Sequence, residues 1–106
     1  MNLRLTINSF EWDEGNTGKN LKHNVADEEA EQVFLDPYVR MKRSRSGRYA
    51  LFGRTEEGRY LFVVFHYKGR LPDYDIVRVI SARGMTAAEK KFYGEKGGHQ
   101  LEKGIR

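Results

Sequence analysis

Leu3, Leu5 and Ile7 alternate with polar residues, the period of a half-buried strand. Phe10 and Trp12 share a face but fall out of phase with that trio, so a bend near Asn8-Ser9 is predicted. Gly15–Gly18 reads as loop, and Lys19–Asn24 as a short helical turn. A second helix opens at Asp27, which can cap it, with Glu28 and Glu29 suited to the positive end of the helix dipole. Ala30, Val33 and Phe34 have helical spacing. Asp36-Pro37 ends the run, because a residue before proline disfavours helix.

From Tyr38 the period changes to that of strands. Tyr38–Ser44 and Tyr49–Arg54 are predicted to pair through the turn Arg45-Ser46-Gly47, and Thr55–Gly58 makes a second turn. Arg59–Tyr67 is apolar on both faces, which predicts a central strand covered on both sides. Lys68–Asp75 contains Gly69 and Pro72 and reads as loop. Ile76–Arg83 is the last strand: Ile76, Arg78, Ile80 and Ala82 fall on one face, and Val77, Val79, Ser81 and Arg83 on the other. Thr86-Ala-Ala-Glu89 is a capping box opening a helix to about Tyr93, with Ala88 and Phe92 on one side. Gly94–Arg106 has no apolar period and reads as a tail. Helices followed by consecutive strands predict an α+β domain with an antiparallel sheet.

Composition narrows the class. A chain of 106 residues is expected to be a single domain. With no cysteine there is no disulfide or thiolate zinc site, and an intracellular setting fits. The longest apolar run, Tyr60–Phe65, is too short to span a bilayer, and Met1–Thr6 lacks the apolar core of an export signal. A cytoplasmic protein without a membrane role is expected. The net charge of +4 favours a polyanionic partner, nucleic acid or an acidic protein. Arg40, Lys42, Arg43, Arg45 and Arg48 are its densest stretch, which either binds such a partner or only protects a sheet edge from pairing.

Phosphate-cradling glycine loops, paired-histidine zinc motifs and nucleophile elbows are absent, and His23, His66 and His99 are too widely spaced to suggest a metal cluster. No cofactor or metal is expected. Metal-independent RNA cleavage suits what remains, since the substrate's 2′-hydroxyl is the nucleophile and the protein supplies a base, an acid and cations. Arginine meets phosphate oxygens best. Arg78 breaks the apolar face of its strand, so it is either paired with a carboxylate or turned to solvent or ligand. Arg83 precedes a helix start, and Arg54 leaves its strand at a turn. His23, beside Lys22, is either a base next to a phosphate ligand or a helix cap. Tyr93, one helical turn after Glu89, either covers the sheet or reaches a substrate.

Phe10-Glu-Trp-Asp13, Asn20-Leu-Lys-His-Asn24, Glu28-Glu-Ala30 running to Phe34, Gly53-Arg54-Thr55, Arg78-Val-Ile-Ser-Ala-Arg83 and Glu89-Lys-Lys-Phe-Tyr93 follow one another in this order. The series, over about residues 10–94, resembles the BrnT family of type II toxin–antitoxin ribonuclease toxins. The resemblance implies a RelE-like fold: an antiparallel sheet of about four to six strands, short N-terminal helices and a C-terminal helix. It implies a bacterial toxin that cleaves RNA and arrests growth. Its partners would be RNA and a DNA-binding, BrnA-like antitoxin of ribbon–helix–helix type, reaching operator DNA only through that complex. Arg78, Arg83, His23 and Tyr93 are the catalytic candidates, and Lys22, Arg54, Ser81, Arg43 and Arg45 the RNA-binding ones. Residues 1–9 precede the usual family start and can add a strand, 10–94 form the toxin-like core, and 95–106 are a flexible tail. The alternative is a toxin-like fold kept without catalysis as an antitoxin partner or co-repressor.

Overall fold

The structure, a computed structural model, describes residues 7, 9–68 and 75–96. The expectations for Leu3 and Leu5, for the loop at Gly69 and Pro72, and for the tail from residue 97 onward lie outside the described residues.

Five strands form one sheet in the order β1-β5-β4-β3-β2: β1 Ser9–Phe10, β2 Arg40–Arg43, β3 Arg48–Arg54, β4 Tyr60–Lys68 and β5 Ile76–Gly84. The central strand is therefore β4, as its apolar run requires, and β5 is second from the edge. Strands β2 to β5 are antiparallel, but β1 pairs with β5 in parallel, so the sheet is mixed rather than wholly antiparallel. Almost the whole domain separates those two strands in sequence, a connection long enough for parallel pairing.

The turn from β2 to β3 has Ser46 at φ 57° and Gly47 at φ 75°. Two successive left-handed residues make the hairpin turn whose twist matches the strands, and glycine bears the second position at no steric cost.

One face of the sheet holds the main core. Leu51, Leu61, Val63, Phe65, Val77, Val79 and Ala82 are buried there against Val25, Ala30 and Val33, with Ile7, Phe10, Trp12 and Phe34 packed around them. The covering layer is a 3-10 helix at Lys19–His23, the helix α1 at Asp27–Gln32 and a 3-10 turn at Val33–Leu35. Ala26, not Asp27, precedes the first helical residue of α1. The Asp27 carboxylate instead accepts from Gly18 N at 3.1 Å, and Glu29 accepts from Ala26 N at 3.0 Å. Asp27 thus ties loop to helix.

Helix α2, Ala87–Lys96, lies on the other face. It runs past Tyr93, with Thr86 N donating to Glu89 Oε1 and Glu89 N to Thr86 Oγ1, at 2.9 and 3.2 Å. Tyr93 is buried and Phe92 half-buried, packing on Ala50, Phe52, Tyr60 and Phe62, whereas Ala88 is exposed. The helix therefore seats itself on its aromatic residues.

Strand β5 departs from simple alternation. Val64 pairs with Ser81 but the next residue, Phe65, pairs with Val79, so Ile80 is an extra residue in β5. The bulge resets the phase. Val77, Val79 and Ala82 share the buried core face, and Arg78, Ser81 and Arg83 share the opposite one, contrary to the alternation expected from sequence. Beyond the short β1, the outer edge of β5 is satisfied by side chains. Asn16 Nδ2 donates to Val79 O at 3.1 Å, and Ala82 N donates to Asn20 Oδ1 at 2.9 Å. Both asparagines are buried.

Candidate active site

Register aligns the arginines and lysine of three strands, with His66 of the fourth, on the α2 side of the sheet. Arg40 stands opposite Phe52, Phe52 opposite Phe62, and Phe62 opposite Arg83. The next row runs Lys42, Ala50, Val64, Ser81, and the row after it Arg48, His66, Arg78. Residues directly opposite in neighbouring strands have Cβ atoms about 4.5–5.5 Å apart. One face thus carries a basic lattice interleaved with rings, while the other is the apolar core.

The rings hold several of these cations. Arg83 Cζ lies 4.3 Å from the Phe62 ring centroid, and Arg40 Cζ and Lys42 Nζ lie 4.3 and 4.6 Å from that of Phe92. Arg40 Nη1 also donates to Phe92 O at 3.2 Å. Stacking fixes a guanidinium plane without consuming its in-plane donors. The apolar residues of α2 pack at the Phe52–Phe62 end of the face. Val64, His66, Arg78 and Ser81 form the other end and are half-buried.

Carboxylates meet both central arginines. Arg83 and Glu89 form a two-point pair with both contacts at 2.9 Å. That pair, with burial opposing it, holds the Glu89 carboxyl below its ordinary value. Arg78 Nη1 and Nη2 donate to Asp13 Oδ2 and Oδ1 at 2.9 and 3.0 Å, and Nη1 also to Glu11 Oε1 at 3.1 Å. These bonds, Asp13 first, raise the Arg78 guanidinium above its usual value. Of the two alternatives for Arg78 the structure has the paired one, on a half-buried face.

The remaining candidates are dispersed. Arg54 has the same parity as Phe52 and Arg83 but sits at the far end of β3, its Cζ 5.7 Å from the Tyr60 ring centroid. Tyr93, 4% exposed, donates its hydroxyl to Asp36 Oδ2 at 2.7 Å, and burial followed by that bond pushes its phenol far up. Lys22 and His23 end the 3-10 helix of the opposite layer and are exposed. Arg43 pairs with Tyr49 on the core side, and Arg45 is exposed at the β2–β3 turn. The structure therefore gathers Arg78, Ser81 and Arg83 on one face and separates Lys22, His23 and Arg43 from them.

Sequence reasoning did not single out His66, Arg48, Arg40 or Lys42 as neighbours of Arg78 and Arg83. Strand parity holds that signal, but only once the pairing across β2 to β5 is known. Glu11 and Asp13 were likewise unassigned, because the parallel β1 brings them to Arg78. Among the described residues no group of three or more His, Cys, Asp or Glu side chains could hold a metal ion, and no helix is long and apolar enough to cross a membrane.

The family described as "Ribonuclease toxin, BrnT, of type II toxin-antitoxin system" matches the chain over residues 12–89. The chain belongs to the BrnT family. It is thus a ribonuclease toxin of a type II toxin–antitoxin system, with RNA as target and an antitoxin as partner. The match takes in every strand from β2 to β5 and the capping box of α2, so it spans the whole basic lattice. A search of curated proteins found no match.

Proposed function

We propose that this BrnT-family chain cuts RNA without a metal on the α2 side of its sheet, with the scissile phosphate at Arg78. The single observation carrying this reading is the register that lines up Arg48, His66 and Arg78 beside Ser81 and Arg83. The 2′-hydroxyl oxygen attacks phosphorus, the bond from phosphorus to the 5′-oxygen breaks, and the departing oxygen is protonated from water. Arg78, with Arg83 beyond it, offsets the charge that develops on the phosphorane oxygens, an arrangement that works best when the donors are already fixed. We assign His66, directly opposite Arg78, to take the proton from the 2′-hydroxyl. Ser81 donates a hydrogen bond to a non-bridging oxygen, and Arg40, Lys42, Arg48, Arg54 and Arg45 lead the backbone in as sequence-independent contacts.

This reading gives Lys22, His23 and Arg43 no role in bond breaking. Tyr93, whose hydroxyl is committed to Asp36, seats α2 instead. We further infer that the toxin acts in the cytoplasm and is neutralised by a DNA-binding, BrnA-like antitoxin of ribbon–helix–helix type that represses their shared operon. The test is cleavage of a defined RNA by the purified chain in excess chelator. Cleavage that survives chelator and is lost in His66→Ala and Arg78→Ala supports the assignment. Strict dependence on an added divalent ion removes the metal-free step.

A further inference from the structure

Arg78 is bound on only part of its perimeter. A guanidinium carries five N–H donors in a planar fork. Asp13 accepts from the Nη1/Nη2 end, and Glu11 accepts from the outer side of Nη1. The Nε–H and the remaining Nη2–H form a second edge, and among the described residues no acceptor meets it. That edge has the spacing for two oxygens of one phosphate.

The two carboxylates are held by more than Arg78. Asn16, 4% exposed, donates from Nδ2 to Glu11 O at 2.9 Å and to Val79 O at 3.1 Å, while its Oδ1 accepts from Asp13 N at 2.8 Å. The loop bearing Glu11 and Asp13 is therefore fastened to β5, the strand that bears Arg78. Gly15 N donates to Asp13 Oδ1 at 2.8 Å, and a Cβ at Gly15 would fall 2.8 Å from Arg78 Nη2. Bare backbone gives the fork its place. One carboxylate would balance the charge of Arg78; two, at different sides, fix its plane. An ordinary surface ion pair contributes little to stability, whereas carboxylates on two sides of one guanidinium, on a loop braced by a buried asparagine, restrict how that guanidinium can turn.

Resting on the reading above, we propose that Glu11 and Asp13 are positioning residues. They set the plane of Arg78 and leave its Nε/Nη2 edge to grip two oxygens of the scissile phosphodiester.

Single-turnover cleavage of a defined RNA by the full chain tests this, beside affinity for the same RNA carrying a 2′-deoxy nucleotide at the cut site. Asp13→Ala and Glu11→Ala are expected to slow the cleavage step, Asp13→Ala by about 10²-fold, the scale of a misplaced catalytic group. Affinity is expected to hold or rise, since a negative charge has left a polyanion's site. Gly15→Ala, which keeps both carboxylates, is expected to slow cleavage without loss of melting temperature, and it stands in should the carboxylate variants not fold. In an Arg78→Lys background, Asp13→Ala is expected to add nothing. Wild-type cleavage rates in Asp13→Ala, or in Gly15→Ala where the carboxylate variants do not fold, overturn the proposal. So does a parallel loss of affinity and rate, which would mean that the carboxylates only hold the fold. An Arg78→Ala chain of full activity removes the underlying reading instead. A dead Arg78→Ala beside an unaffected Asp13→Ala removes only the positioning role.

Discussion

Arg83 and Glu89 join the end of β5 to the first turn of α2 through a two-point ion pair, both contacts at 2.9 Å. The same Glu89 carboxylate accepts from Thr86 N, so one side chain starts the helix and docks it to the sheet. Arg83 stacks on Phe62, which fixes where α2 begins on the basic face.

This pair makes stability depend on acid. Arg83 holds the Glu89 carboxyl below its ordinary value in the folded state. At a pH above the ordinary glutamate value the ion pair contributes fully, and that contribution is lost as pH falls through the depressed value. Melting temperatures of the native chain and of Glu89→Gln are expected to differ at neutral pH and to converge in the acid range. A constant gap from pH 7 to pH 3 would contradict this.

The opposite dependence is expected at Tyr93. Burial and the bond to Asp36 raise its phenol, so on unfolding in alkali it releases a proton that the folded state keeps. Its contribution is complete below the ordinary tyrosine value and lost as pH rises beyond it. Tyrosinate absorbance should show this phenol ionising only with unfolding. Tyr93→Phe leaves Asp36 Oδ2 with the Arg54 N–H alone, at a cost of about 1.5–3 kcal/mol for a hydrogen bond to a charged group, measured by denaturant midpoint.

Asn16 and Asn20 replace a missing strand along β5. Removing either side chain strands buried backbone groups, so Asn16→Ala and Asn20→Ala are each expected to cost about 1–3 kcal/mol by urea unfolding. They should differ in activity. Asn16→Ala also frees the loop of Glu11 and Asp13, so it will slow RNA cleavage, whereas Asn20→Ala will leave the rate of folded protein near that of the native chain.

Much of the fold could be read from the chain, because its elements have strong local signals. The capping box at Thr86, the stop at Asp36-Pro37 and the apolar run that made β4 central all act within a few residues. The site was less legible for the same reason. The bulge at Ile80 leaves no signature in a single sequence, yet it turns Ser81 and Arg83 to the side of Arg78. The parallel β1, which delivers Glu11 and Asp13, depends on a pairing between chain ends. Asp27 looked like a helix cap because it has the right side chain, but Gly18 N–H competes for its carboxylate. Arg78 stood out as a misplaced charge under simple alternation; the structure shows the charge on the polar face and paired.

The basic rows imply a salt-dependent component of RNA affinity. Each lost phosphate contact to a single strand lowers the slope of log affinity against log salt by about 0.7. Lys42→Ala and Arg48→Ala are each expected to weaken binding of a non-cleavable RNA and flatten that slope, whereas Arg43→Ala, on the core side, is expected to change neither. Equal effects of all three would mean that net charge alone governs binding.

The central claim is that the face bearing Arg78 is where RNA is cut, and single-turnover cleavage by folded Arg78→Ala in chelator tests it most directly. The account predicts a loss of cleavage of 10²-fold or more, on the order expected for removing a preorganised charge donor, with the melting temperature lowered by no more than the loss of the ion pairs with Asp13 and Glu11 explains. Cleavage at the native rate would contradict it.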